Sequence, residues 1–202
     1  MTMNCKQFCM EFLGTLILVL SVALTGNPLA FAMIFMALVY VGGHVSGSHF
    51  NPAVTLAVAM MSPMSMTRIA GYMGSQILGG LGAGVIYYAL TGSVFSPDTG
   101  MGIVGWKALS VEILFTYVFI MAILTATRSA GLKDHLYGLV IGFTFLGIAF
   151  MGGVYNPAAA VGPMAMDAMM TGASLFNLLI YVFGPLTGAA LGAMSYKYFN
   201  RA

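Results

Sequence analysis

Two asparagines carry the chemistry that this chain can do. Asn51 opens Asn51-Pro52-Ala53 and Asn156 opens Asn156-Pro157-Ala158, each after a glycine-rich approach. Asparagine is among the best helix N-caps, and proline is favoured at the first helical position, where its missing N–H costs nothing. A helix that starts at either tripeptide aims free backbone N–H groups and the positive end of its dipole at whatever lies in front. One copy could be an ordinary cap. Two copies at matching places in two halves of a chain form a constellation, and its chemistry is non-covalent: hydrogen bonds from two amides beside two positive helix ends.

The ionisable residues join the same pattern. Glu11 and Glu112 sit inside apolar spans, where a carboxyl group is expensive and tied to function. Their matching placement in the two halves predicts that each holds a glycine-rich loop by accepting from its backbone N–H groups. His44 and His49 lie on the first approach, and no carboxylate or cysteine joins them, which argues against a metal site. The reading calls for no cofactor and no catalytic residue.

Composition sets what positions these groups. Of 202 residues, 60% are hydrophobic and 6% are charged, with 26 Gly and 18 Met. A soluble domain could not cover its surface from this set. Net charge of +2 argues against a nucleic-acid partner, and Cys5 and Cys9 make no disulfide framework. The class is an all-α, multi-pass membrane protein in one domain over 1–202. Six apolar spans are predicted near 10–24, 29–45, 69–90, 108–127, 136–151 and 175–196. Short pieces follow each Asn-Pro-Ala, at 54–61 and 158–166, and are too short to cross a bilayer.

The halves repeat. Glu11-Phe12-Leu13-Gly14-Thr15 corresponds to Glu112-Ile113-Leu114-Phe115-Thr116, the Asn-Pro-Ala copies correspond, and Gly80/Gly84 are paired with Gly188/Gly192. These landmarks keep their order at slowly growing separation. With three crossings in each half, the halves (about 1–97 and 98–202) lie in opposite orientations, an inverted repeat. Basic residues favour cytoplasmic termini: Lys6, Arg68, Arg128, Lys133, Lys197 and Arg201 fall inside and Lys107 outside.

In this topology the short helices enter from opposite faces and meet N-terminus to N-terminus near the midplane. Irregular backbone at that depth is tolerated where it packs in protein or lines a water-filled cavity. The stretches Gly43-His44-Val45 and Gly152-Gly153-Val154 are predicted to be extended and to turn carbonyl oxygens to a narrow lumen. A neutral molecule exchanges hydrogen bonds along such a file, while a cation meets the two helix ends.

On Glu11-Phe12-Leu13-Gly14-Thr15, Gly47 to Thr55, Gln76, Asn156-Pro157-Ala158, Gly162-Pro163 and Gly184 to Ala190, the chain resembles the aquaporin (major intrinsic protein) family over essentially its whole length. The resemblance implies six helices and two re-entrant half-helices, a pore in each subunit and a homotetramer in the lipid bilayer. It implies loop-supporting roles for His44 and Gln76. It also implies an outer selectivity filter at Phe31, Ala149, Gly153 and Ala159. The family's usual filter arginine is replaced by Ala159, and the aspartate found next in glycerol channels is replaced by Ala160. The expected function is a passive channel for water and small neutral solutes such as glycerol, urea, ammonia or hydrogen peroxide. The competing expectation is a structural membrane protein whose pore is plugged by Phe31, Tyr155 or Met side chains.

Overall fold

The structure, a computed structural model, describes residues 5–97, 104–129, 135–173 and 175–200. Lys133, Arg201 and Asp98, where the second half was expected to begin, lie outside the described residues. Among the described residues eight helices follow one another: α1 Cys5–Thr25, α2 Pro28–Gly43, α3 Pro52–Met61, α4 Met66–Thr91, α5 Trp106–Arg128, α6 Tyr137–Ala149, α7 Pro157–Thr171 and α8 Leu178–Phe199. The protein is an all-helical bundle of six crossings and two half-helices. Long apolar runs make α1, α4, α5 and α8 sufficient to cross a membrane, at 21, 26, 23 and 22 residues. At 1.5 Å per residue, the 16-residue α2 reaches about 24 Å. The 13-residue α6 is shorter still, and each of these two helices leads directly into a re-entrant loop.

The local signals explain the boundaries. Asn27 caps α2 through its side chain, with Pro28 at the first helical position, and Ser65 caps α4 by accepting from the Arg68 N–H at 3.2 Å. Gly92 ends α4 in the left-handed region, at φ 69°. The second half-helix exceeds the short piece expected from the sequence, because Pro163 is tolerated inside it and α7 continues to Thr171.

Packing repeats between halves: α1 lies along α4, and α5 lies along α8. The repeat is offset by one residue from the sequence pairing. A Cβ on Gly188 would run into the Ile113 carbonyl, Thr116 Cβ and Tyr117 N. The residue that meets the corresponding atoms in the first half is Gly79, against Phe12 O, Thr15 Cβ and Leu16 N. Gly79, not Gly80, is therefore the mate of Gly188. The expected alignment failed because two adjacent glycines face different neighbours, and only contacts separate them. In the corrected register Tyr72 matches Tyr181, and Gln76 matches Pro185.

Gly80 serves another crossing. A Cβ there would collide with the Ala158 carbonyl, and one on Gly162 would collide with the Gly80 carbonyl and Leu81 N. The backbones of α4 and α7 thus touch directly, the close approach that small residues permit between helices in a membrane. Each half-helix packs mainly on the opposite half, α7 on α4 and α3 on α8. Four phenylalanines, Phe31, Phe35, Phe119 and Phe145, fill the space between α2, α5 and α6, with ring centroids 4.9 to 6.1 Å apart.

Candidate functional site

Asn51 and Asn156 are each buried and each cap their own half-helix, with Oδ1 accepting from the Ala53 N–H at 2.8 Å and the Ala158 N–H at 3.0 Å. Their amide nitrogens cross over. Asn51 Nδ2 donates to the Tyr155 carbonyl at 2.8 Å, and Asn156 Nδ2 donates to the Phe50 carbonyl at 3.0 Å. The residue before each asparagine makes this possible by adopting left-handed backbone, with φ 50° at Phe50 and 56° at Tyr155. Such backbone is costly for a bulky residue and persists only where surroundings enforce it. Each amide has two donors, so one N–H on each asparagine remains beyond the crossed bond.

The two glutamates supply the enforcement, unequally. Glu11 Oε1 accepts from Ser46 Oγ at 2.6 Å and the His49 N–H at 3.0 Å; its Oε2 accepts from the Phe50 N–H and from Gln76 Nε2, both at 2.7 Å. Glu112 accepts from the Val154 N–H at 2.6 Å and the Tyr155 N–H at 2.7 Å. The backbone pairs correspond residue for residue. The side-chain donors do not, because Pro185 stands where Gln76 would be and Met151 stands where Ser46 would be. Gln76 also donates to Thr55 Oγ1 at 2.9 Å, which ties α4 to the start of α3.

Two expectations about the first loop need correction. His44 was expected to support it, yet His44 is exposed at the C-cap of α2. The imidazole built into the loop is His49, buried, with Nδ1 3.1 Å from Thr55 Oγ1. Nor is Gly43-His44-Val45 extended. Gly43 still belongs to α2, and its carbonyl accepts from the Gly47 N–H at 3.1 Å, while the Gly42 carbonyl accepts from Val45 and Ser46 at 2.9 Å. The helix closes on itself through a turn, and the irregular segment is 47–50. In the second loop Gly152 lies in a turn at φ 76°, and the segment from Gly153 to Asn156 is irregular.

Two cavities are lined by the loops that carry the asparagines. One, of about 200 Å³, is lined among others by Phe31, Ala149, Gly153, Asn156 and Ala159, so the four positions expected for the filter share one wall set. Val154 and Tyr155 also line it, and among the described residues no charged side chain does. The other, of about 520 Å³, is lined by Gly43, Gly47, Ser48 and His49 and reaches Arg128 and Tyr137. Arg128 is pinned there by Nη2 donating to Ser62 Oγ at 2.7 Å.

Sequence reasoning missed three contributors. Phe95 and Pro97, from the segment joining the halves, line the smaller cavity, and Tyr87 meets Phe95 edge-on at 6.0 Å. No periodicity or motif marks a loop aromatic as part of a site. Tyr72, wholly buried, donates to the Ser46 carbonyl at 2.7 Å. Its spacing four residues before Gln76, on one face of α4, was a signal that could have found it.

Known proteins agree with this architecture. The model of the family described as major intrinsic protein matches residues 1–196. The lens fiber major intrinsic protein of Gallus gallus is 36% identical over 188 residues, covering 85% of this chain and 68% of that protein. Aquaporin AqpM of Methanothermobacter thermautotrophicus is 30% identical over 183 residues, covering 84% and 74%. The glycerol uptake facilitator protein-like 6 of Lactiplantibacillus plantarum is 31% identical over 212 residues, covering 93% and 95%. The X-ray structure of the aquaglyceroporin from Plasmodium falciparum shares the fold, with a TM-score of 0.76 at 20% identity over 96% of this chain and 94% of that one. Helices long enough to span a bilayer, two half-helices joined through crossed asparagines and a family match along nearly the whole chain lead to one assignment: this is an integral membrane protein of the major intrinsic protein family, a family of channels rather than enzymes.

Proposed function

We propose that the chain conducts water and small neutral solutes of glycerol or urea size down their gradients. In this reading both termini are cytoplasmic, four copies assemble, and the smaller cavity is the outer vestibule. The observation that carries the reading is Ala159 beside Phe31, Ala149 and Gly153 in a cavity lined, among the described residues, by no cationic side chain. A guanidinium at that place would narrow the passage and bind carbonyl-bearing solutes as a fixed donor. An alanine leaves an apolar surface beside the Asn156 amide, which suits solutes that carry both C–H and hydroxyl or amide groups. Charge exclusion then falls to the two helix ends at Asn51 and Asn156.

Shrinkage and swelling of proteoliposomes in water, glycerol and urea gradients test this. Rates above those of empty liposomes are expected for all three. Rates equal to empty liposomes would favour the plugged structural protein and end the channel reading. Ala159→Arg is expected to lower glycerol passage relative to water by about tenfold, the effect of roughly 1.4 kcal/mol on a barrier. An unchanged ratio would remove Ala159 from the constriction. Phe95→Ala is expected to raise the glycerol-to-water ratio in the same assay, by removing a wall of the outer vestibule. A ratio equal to wild type would limit Phe95 to bracing its own loop.

A further inference from the structure

We propose that Tyr72 is a positioning residue for the conduction path, which holds the first re-entrant loop through Ser46 and is itself held by Arg68 from the first turn of α4. The proposal rests on the channel reading above.

Ser46 is the hub of the first loop. Its Oγ donates to Glu11 and accepts from the Ser48 N–H at 3.1 Å, and its carbonyl accepts from Tyr72. Beyond it the chain must place both Ser48 (φ 52°) and Phe50 (φ 50°) in left-handed backbone, whereas the second loop asks this of Tyr155 alone among its non-glycine residues. Two strained residues within three need more restraint than one. Tyr72 supplies it from α4, a helix fixed against α1 and α7, so its restraint comes from outside the loop.

The tyrosine is in turn held on three sides. Arg68 Nη2 donates to its hydroxyl at 3.0 Å, and the guanidinium carbon stands 5.1 Å from the ring centroid. The rings of Phe8 and His49 meet it edge-on at 6.0 and 5.2 Å. A hydroxyl that accepts from a cation becomes a stronger donor, so Arg68 strengthens the bond to Ser46. The same ring braces His49, which with Gly47 and Ser48 lines the larger cavity. The chain Arg68–Tyr72–Ser46 therefore fixes the loop surface past which solutes move. Tyr181 is its mate by register, but Pro185 and Met151 have removed the accompanying donors from the second half.

Tyr72→Phe deletes the hydroxyl and keeps the ring. In the purified full chain, hydrogen exchange across 46–51 is expected to accelerate about tenfold, the factor that one buried hydrogen bond contributes to a local opening. Exchange across 152–157 is expected to stay at the wild-type rate. In proteoliposomes the unit water permeability is expected to fall about threefold with a steeper temperature dependence, a readout that a change in yield or general stability does not move. Arg68→Met, which spares the tyrosine, is expected to act in the same direction with a smaller effect, and it decides the matter if Tyr72→Phe fails to assemble. Wild-type temperature dependence in these variants overturns the positioning role, whatever the exchange data show. Wild-type vesicles no faster than empty ones would overturn the channel reading instead, and unchanged exchange across 46–51 would still dispose of the tether.

Discussion

Glu11→Ala is expected to abolish recovery of folded protein, while Glu112→Ala is expected to yield a folded but weakened one. Removing the Glu11 carboxyl strands four buried donors: two backbone N–H groups, the Ser46 hydroxyl and the Gln76 amide. Each orphaned donor costs about 1–3 kcal/mol, so the sum approaches the roughly 5–15 kcal/mol that separates native from unfolded protein. Glu112 strands two backbone donors, of which Val154 is half-buried and can reach water. Monodisperse yield and thermal midpoint in detergent read the difference directly. Equal loss from both substitutions would show that the number of accepted bonds does not set the strength of the anchor.

Gly162→Ala is the second large effect. The added methyl has no side chain to push aside, because the atoms it meets are the backbone of Gly80 and Leu81. Helices α4 and α7 must separate, which moves Ala158 and Ala159 with them. Overpacking alone costs about 1–3 kcal/mol, and a rigid backbone neighbour places this site at or above the upper end. Gly74→Ala is the control: an added methyl at Gly74 on α4 meets no atom within 4 Å. Replacing a free glycine in a helix is expected to stabilise by about 0.4–1 kcal/mol. A thermal midpoint that drops for Gly162→Ala and rises for Gly74→Ala checks both. Two equal shifts would mean that helix propensity, and not the crossing, governs these positions.

Much of the fold was legible because a membrane leaves a chain few choices. Apolar runs give the crossings, and two capped prolines give the half-helices. Glu11 and Glu112 stood out as carboxyls in apolar surroundings. What the sequence concealed has a common cause: neighbours from distant parts of the chain. Gly79 and Gly80 are chemically identical, and only what each one touches separates them. His44 and His49 both lie near the loop, but a helix that runs on to Gly43 leaves the first exposed and the second enclosed. The irregular backbone of the first loop was expected one turn too early for the same reason, since a glycine pair permits extended backbone without requiring it. Phe95 gave no signal because a loop carries no periodicity from which to infer a facing direction.

The exchange of half-helices between halves bears on how the molecule is made. Helix α3 is synthesised with the first half, yet it packs mainly on α8, the last helix of the second, and Asn51 donates to Tyr155, a residue translated about a hundred positions later. When α1 to α4 emerge, the first loop has its Glu11 anchor but no partner for its amide, and Gly80 faces a groove with nothing in it. Insertion can therefore place the early helices in the bilayer without finishing the passage between them. The contacts at the centre of the molecule, α7 along α4 and the crossed asparagine bonds, draw on both halves of the chain. Neither half, made alone, contains the means to complete its own pore.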